Sequence, residues 1–179
     1  MEKGFTLYEL LMVLAIASVL AAVSFSVGAV LHDTRLSTTA NELLAVLALA
    51  RSESVKRQLP VSVCKSSDSM QCSNDASWGN GWLVFVDVDR DGFVDVADTI
   101  VWVSNGPGGT AKIVYRGFPA SARNRFVTYV PTGFTAEQNG TFYVCDHRGT
   151  SQTREVVLYK TGRARNVGRS SAERARNCA

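Results

Sequence analysis

From Leu10 to Leu31 the chain is predominantly apolar, with no charge and no proline. As a helix rising about 1.5 Å per residue, these 22 residues would reach about 33 Å, enough for a hydrocarbon layer of about 30 Å. The pattern then becomes one-sided. Leu36, Ala40, Leu43, Leu44, Leu47, Ala50 and Ser54 recur at three- and four-residue steps, while Asn41, Glu42, Arg51, Glu53, Lys56 and Arg57 take the other faces. Pro60 stops the pattern. The spacing predicts one helix from about Phe5 to Gln58, apolar all round in its first half and amphipathic in its second. Gly28 costs it roughly 1 kcal/mol relative to alanine and marks a soft point near the end of the apolar half.

After Pro60 the period falls to two. Val61–Cys64, Trp82–Val86, Thr99–Val103, Lys112–Tyr115, Arg125–Tyr129, Thr141–Cys145 and Glu155–Tyr159 read as strands. Turn signals separate them at Asn105-Gly-Pro-Gly-Gly109, Pro131-Thr-Gly133, Asn139-Gly140 and Arg148-Gly149. No second long helix is predicted. The fold class is therefore α+β, a long N-terminal helix whose amphipathic half covers an antiparallel sheet.

Glu9 lies at the N-terminal edge of the apolar run. A charge at the centre of a bilayer costs about 2.5–3.5 kcal/mol, less near the interface, so Glu9 needs a partner. A free amine at Phe5 of a neighbouring chain would be one. The order Gly4-Phe5-Thr6-Leu7-Tyr8-Glu9-Leu10, followed by an apolar helix, resembles the N-terminus of type IV pilins and type II secretion pseudopilins. The resemblance implies that a prepilin peptidase cuts between Gly4 and Phe5 and methylates the new amine, and that Glu9 pairs with an adjacent subunit during assembly. An ordinary secretory signal would have a shorter apolar core and a small-residue cleavage site after it. A generic anchor would explain neither Gly4 nor Glu9.

Further along, Arg51-Ser-Glu53, Trp78-Gly-Asn-Gly81-Trp82, the aspartate-rich stretch 87–98, Pro131-Thr-Gly133 and Gly162-Arg163-Ala164-Arg165 look like the FimT/GspH branch of minor pilins and pseudopilins. The helix lacks the proline common in major pilins, which favours a low-abundance component. The resemblance implies a leader at 1–4, a transmembrane part of the helix at 5–31, an amphipathic part at 32–58, and a periplasmic β-rich domain with a basic C-terminal tail at 59–179. It places the chain in the bacterial inner membrane, single-pass, and then in a pilus or pseudopilus. Other pilins or pseudopilins and the prepilin peptidase are its partners. It implies a minor pilin, with a GspH-like pseudopilin of a type II secretion system as the alternative.

The net charge is only +3, with 19 Lys and Arg against 16 Asp and Glu, yet it is unevenly spread. Eight basic residues follow Asp146. Among them, Gly162-Arg163-Ala164-Arg165 resembles the Gly-Arg-x-Arg motif of FimT proteins that bind DNA in natural transformation. With Lys160 and Arg169 it forms a candidate site for double-stranded DNA, to which arginines offer charge and forked donors. The plainer reading is a solvated tail or a face meeting another pilin. Arg174 and Arg176 extend the tail, diluted by Glu173.

Asp87-Val-Asp89-Arg-Asp91-Gly92, with Asp95 and Asp98, follows the spacing of a calcium loop with hard oxygen ligands and a glycine at the sharp turn. The last position is aspartate rather than the usual glutamate, and the flanks are strands rather than helices. A solvated hairpin loop is the plainer reading. No cofactor is assigned, and calcium stands as a candidate only. Four cysteines allow three pairings. Cys64–Cys72 would close a local polar loop and Cys145–Cys178 would tie down the tail, stabilising by roughly 2.6 and 3.8 kcal/mol on a loop-entropy model. His32, and His147 beside Asp146, form no recognisable catalytic order, so no enzyme activity is expected.

Overall fold

The computed structural model describes residues 6–118, 125–149, 152–171 and 178, without the side chains of 23–30 and 118. Gly4, Phe5, Arg174 and Arg176 lie outside the described residues. The chain divides into two compact units, one through Thr34 and one from Arg35. Helix α1 spans Leu7–Arg57, close to the predicted limits. Among the described residues no helix is long and apolar enough to cross a membrane. The segment expected to do so, 5–31, includes one residue and several side chains outside that description.

Helix α1 ends where the sequence changes character. Arg57 donates to Glu53 one turn back at 2.6 Å, and this bond holds the Glu53 carboxyl below its ordinary value. Gln58 turns into the left-handed region at φ 56°, and Pro60 cannot extend a helix. The Ser54 hydroxyl, fully buried, contacts the carbonyls of Leu59 at 2.9 Å and Tyr129 at 3.1 Å, pinning the helix end to the connecting turn and to the sheet.

Eight antiparallel strands are described: β1 Val61–Lys65, β2 Trp82–Val86, β3 Thr99–Ser104, β4 Lys112–Phe118, β5 Phe126–Tyr129, β6 Asn139–Cys145, β7 Arg154–Leu158 and β8 Ala164–Arg169. They form two sheets, ordered β3-β2-β1-β5 and β4-β6-β7-β8. The predicted helical stripe is buried except for Leu44, which is half-buried, and Val46, outside the predicted stripe, joins it. Leu36, Ala40, Leu43, Val46, Leu47 and Ala50 join Val61, Val63, Val84 and Val127 of the first sheet and Ile113, Phe142, Val144, Val156 and Leu158 of the second in one core. Tyr115 stacks on Phe142 at 4.1 Å, and Trp78 meets Phe142 edge-on at 5.0 Å.

Three features depart from the sequence reading. Asn139 and Gly140, expected as a turn, begin β6, with Gly140 directly across from Gly117. Strand β3, found from its period, has Ile100, Trp102 and Val103 exposed, an exposure that the period does not indicate. The basic tail is in part a strand: β8 pairs with β7 from Leu158–Ala164 to Arg154–Arg169, through one irregularity. Its polar sequence hides a backbone ladder that needs no apolar alternation.

The β7–β8 turn is itself docked. Gly162 N–H donates to Tyr159 O at 2.8 Å, and the Lys160 carbonyl accepts from Thr135 N–H at 3.1 Å. Gly162 sits at φ 75°, and any Cβ there would collide with the Gly133 carbonyl oxygen. Only glycine satisfies both the backbone and the space.

Leu47→Ala removes a fully buried side chain shared by helix and sheets. It should cost about 2–5 kcal/mol in urea unfolding followed by tryptophan fluorescence. Gly162→Ala should lower stability in the same measurement by at least the roughly 1–3 kcal/mol of backbone strain, the clash with Gly133 adding to it, and with no change of charge.

Candidate functional site

Among the described residues, three places bear on the candidate sites. The first is the start of α1. Thr6 Oγ1 accepts from Glu9 N–H at 3.3 Å, and Glu9 Oε2 accepts from Thr6 N–H at 3.3 Å. This reciprocal pair is a capping box, Thr-x-x-Glu, which satisfies two orphan donors of the first turn. The sequence shows the pattern, but a reading based on charge alone passes over it. Glu9 therefore has a local role within its own chain. Behind it Leu7, Leu10, Leu11, Val13, Leu14, Ile16, Val19 and Leu20 are each more than half exposed.

The second is the β2–β3 connection. Asp87 follows β2 directly and is completely buried, whereas Asp89, Asp91 and Asp95 are exposed. Asp87 Oδ2 accepts from Ser62 Oγ at 2.5 Å and from Gly92 N–H at 3.2 Å, and Ser62 Oγ also meets Thr128 Oγ1 at 2.6 Å. Burial pushes the Asp87 carboxyl above its ordinary range. The Ser62 hydroxyl and the Arg90 and Gly92 amides oppose the shift, and the charge of Asp98 adds to it. One oxygen from each of Asp87, Asp89 and Asp91 lies within 4.8 Å of the others. Asp95 and Asp98 do not complete this group. Asp95 Oδ1 accepts from Ala97 N–H at 2.7 Å, and Asp98 Oδ2 accepts from Asp95 N–H at 3.2 Å, so both carboxylates brace the loop backbone. Ser62 and Thr128 belong to other strands, and no local signal marks them as partners of Asp87.

The third is the arginine hairpin. Lys160, Arg163 and Arg165 are exposed around the β7–β8 turn, and Arg169 is exposed at the far end of β8. Tyr159, Thr161, Arg163 and Arg165 line one shallow depression of about 270 Å³. Asn166 on β8 donates to Asn41 of α1 at 3.0 Å, so this strand is held against the helix. Gly162 has a structural reason of its own in the docked turn. Arg148 does not join the set, because its guanidinium is paired with Asp146 at 2.7 Å. Burial would raise the Asp146 carboxyl, but the hydrogen bonds and charge of Arg148 outweigh it and hold it below its ordinary value.

Two disulfides frame these places. Cys64–Cys72 ties β1 to the loop before β2, and Cys145–Cys178 joins the end of β6 to the C-terminal segment. No free cysteine is found among the described residues.

The chain matches two family models. One, described as Type II transport protein GspH, takes in residues 39–162, and the other, a prokaryotic N-terminal methylation motif, residues 1–25. Among solved structures, the type IV minor pilin FimU of Pseudomonas aeruginosa, in two crystal forms, gives TM-scores of 0.54 and 0.57 at 22% identity. These alignments take in 76% and 78% of this chain and 94% and 91% of FimU. The minor pseudopilin EpsH from the Type 2 Secretion System of Vibrio cholerae gives 0.51 at 11% identity, over 75% of this chain and 97% of EpsH. No curated protein sequence matches significantly. At these identities the structures speak for the fold, a long helix packed on antiparallel sheet. The GspH model runs from the amphipathic part of α1 to the β7–β8 turn, and with the methylation motif ahead of it the chain belongs to the GspH family of minor pilins and pseudopilins.

Proposed function

We propose that this chain is a minor pilin. It is cut between Gly4 and Phe5, methylated at the Phe5 amine, and held in the inner membrane by the apolar part of α1. It then passes into a type IV pilus with its β-rich unit facing outward near the tip. Its role is structural, and the arginine hairpin gives it a second one, binding double-stranded DNA for uptake.

The observation that carries this reading is the N-terminal segment. A methylation motif over residues 1–25 introduces a helix whose apolar side chains are exposed on every face from Leu7 to Leu20. A helix that is apolar all round needs a membrane or the core of a bundle around it. A pilus supplies both in turn. Glu9 then has two uses: it caps its own helix through Thr6, and in the fibre it pairs with the amine of a neighbouring subunit.

The DNA role rests on Arg163, Arg165, Arg169 and Lys160, all exposed and carried by an ordered hairpin. Phosphate contacts of this kind position a protein without reading sequence. A second reading, a minor pseudopilin of a type II secretion system, is favoured by the description of the matching family model. It needs no DNA contact.

Glu9→Gln keeps the capping box but removes the charge, whereas Glu9→Ala removes both. Both variants should remain in the membrane fraction and be lost from sheared pili. Normal recovery of Glu9→Gln in pili would show that only the cap matters. Arg163→Gln with Arg165→Gln should weaken retardation of duplex DNA by the detergent-solubilised chain, leave its melting temperature nearly unchanged, and flatten the plot of log K against log salt by about 0.9 per lost phosphate contact. No retardation by the wild-type chain at low salt would remove the DNA role and leave only the assembly role standing.

A further inference from the structure

We infer that the β2–β3 loop is a calcium site, held by Asp87, Asp89 and Asp91. The inference rests on this chain's own residues and stands apart from the pilin reading.

The starting point is Asp87. Its side chain is completely buried, and its two oxygens are treated unequally. Oδ2 accepts from Ser62 and Gly92, while Oδ1 has no hydrogen-bond partner. A buried carboxylate oxygen without a donor is costly. Proteins meet that cost with a donor, a water or a cation. The donors around Asp87 leave Oδ1 unsatisfied, and the carboxylates of Asp89 and Asp91 lie close by.

The second observation is the convergence. One oxygen each from Asp87, Asp89 and Asp91 comes within 4.8 Å of the others. Among the described residues none of the three carboxylates has a basic partner. Arg90 lies between them in sequence, yet it is exposed and forms no ion pair with them. Three carboxylates at this spacing repel one another, and a divalent cation between them removes the repulsion.

The loop is also built to hold that arrangement. Gly92 adopts φ 78°, and a Cβ there would collide with the Phe126 ring. Its amide donates to Asp87, so the sixth loop position orients the carboxylate at the first. Asp89 Oδ1 accepts from Asp91 N–H at 3.3 Å, and Asp91 Oδ1 accepts from Phe93 N–H at 2.7 Å, which sets the alternate carboxylates along one turn. Hard oxygen donors in a loop open to water suit Ca²⁺, which takes six to eight ligands in flexible geometry. Mg²⁺ demands a tighter octahedron and gives up its water reluctantly. Water and loop carbonyls would complete the shell. With three protein carboxylates and no bidentate glutamate, the affinity belongs to the weak class of extracellular modules, with Kd on the order of 10⁻⁴–10⁻³ M.

The test uses the full chain in detergent micelles, stripped with EGTA and titrated calorimetrically with CaCl2. One site per chain should appear, and at about ten times Kd the melting temperature should rise by about 3–6 °C. MgCl2 at the same concentration should not reproduce the rise. Asp89→Asn with Asp91→Asn changes only exposed side chains, so the fold remains, and calcium affinity should fall about tenfold or more. No heat and no shift in melting temperature up to about 10 mM calcium, well above this Kd range, would overturn the inference. Equal binding by the double variant, or an equal effect of Mg²⁺, would overturn it too.

Discussion

One apolar stripe, buried under two sheets at once, is the constraint on which the rest depends. Leu36, Ala40, Leu43, Val46, Leu47 and Ala50 present a single face of α1, and strands of both sheets close over it. Neither four-stranded sheet owns a separate large core. The alanines matter as much as the leucines, since a small side chain at Ala40 and Ala50 lets backbone come close while the leucines fill the space between. Everything polar is then placed from the rim of this packing. Glu42 accepts from Ser104 of β3 at 2.9 Å on one side of the helix, and Asn41 accepts from Asn166 of β8 on the other.

The same packing explains why the two sheets carry different polar sites. In the first sheet, β1 lies between β2 and β5, so Ser62 can reach Asp87 after β2 and Thr128 of β5 together. In the second, β8 is an edge strand, so its arginines stay in water. The turn before it is anchored by Gly162 against Gly133, which makes the arginine set part of the folded body. A cation set that is already ordered loses little conformational entropy when it meets phosphate.

The helix and seven of the eight strands were legible because burial wrote its period into the sequence: three and four residues along α1, two along most strands. Strand β8 was not, since Ala164-Arg-Asn-Val-Gly-Arg169 is held mainly by backbone pairing with β7 and keeps its charges outside. Strand β3 was found, but its exposure was not, because period alone does not say whether a strand's faces are covered by other elements. In the candidate sites the residue types were visible and their partners were not. The aspartate spacing marked the loop, yet the complete burial of Asp87 and its contact with Ser62 arise from strand pairing across 25 residues of chain. The capping role of Glu9 was written locally, three residues after Thr6, and was hidden only by the stronger signal of a charge beside an apolar run.

Strand β3 leaves Ile100, Trp102 and Val103 uncovered on the outermost strand of its sheet. Beside it, Trp102 and the helix residues Glu42, Ala45, Val46 and Leu49 line a mainly apolar hollow of about 290 Å³. An open edge with apolar side chains is a template for strand addition, and natural proteins blunt such edges with charge, proline or a cover. Here the strip Thr99-Ile-Val-Trp-Val-Ser104 carries neither charge nor proline. Such an edge sets a condition on storage: by this rule, solubility at high concentration depends on keeping β3 of one copy from pairing with β3 of another.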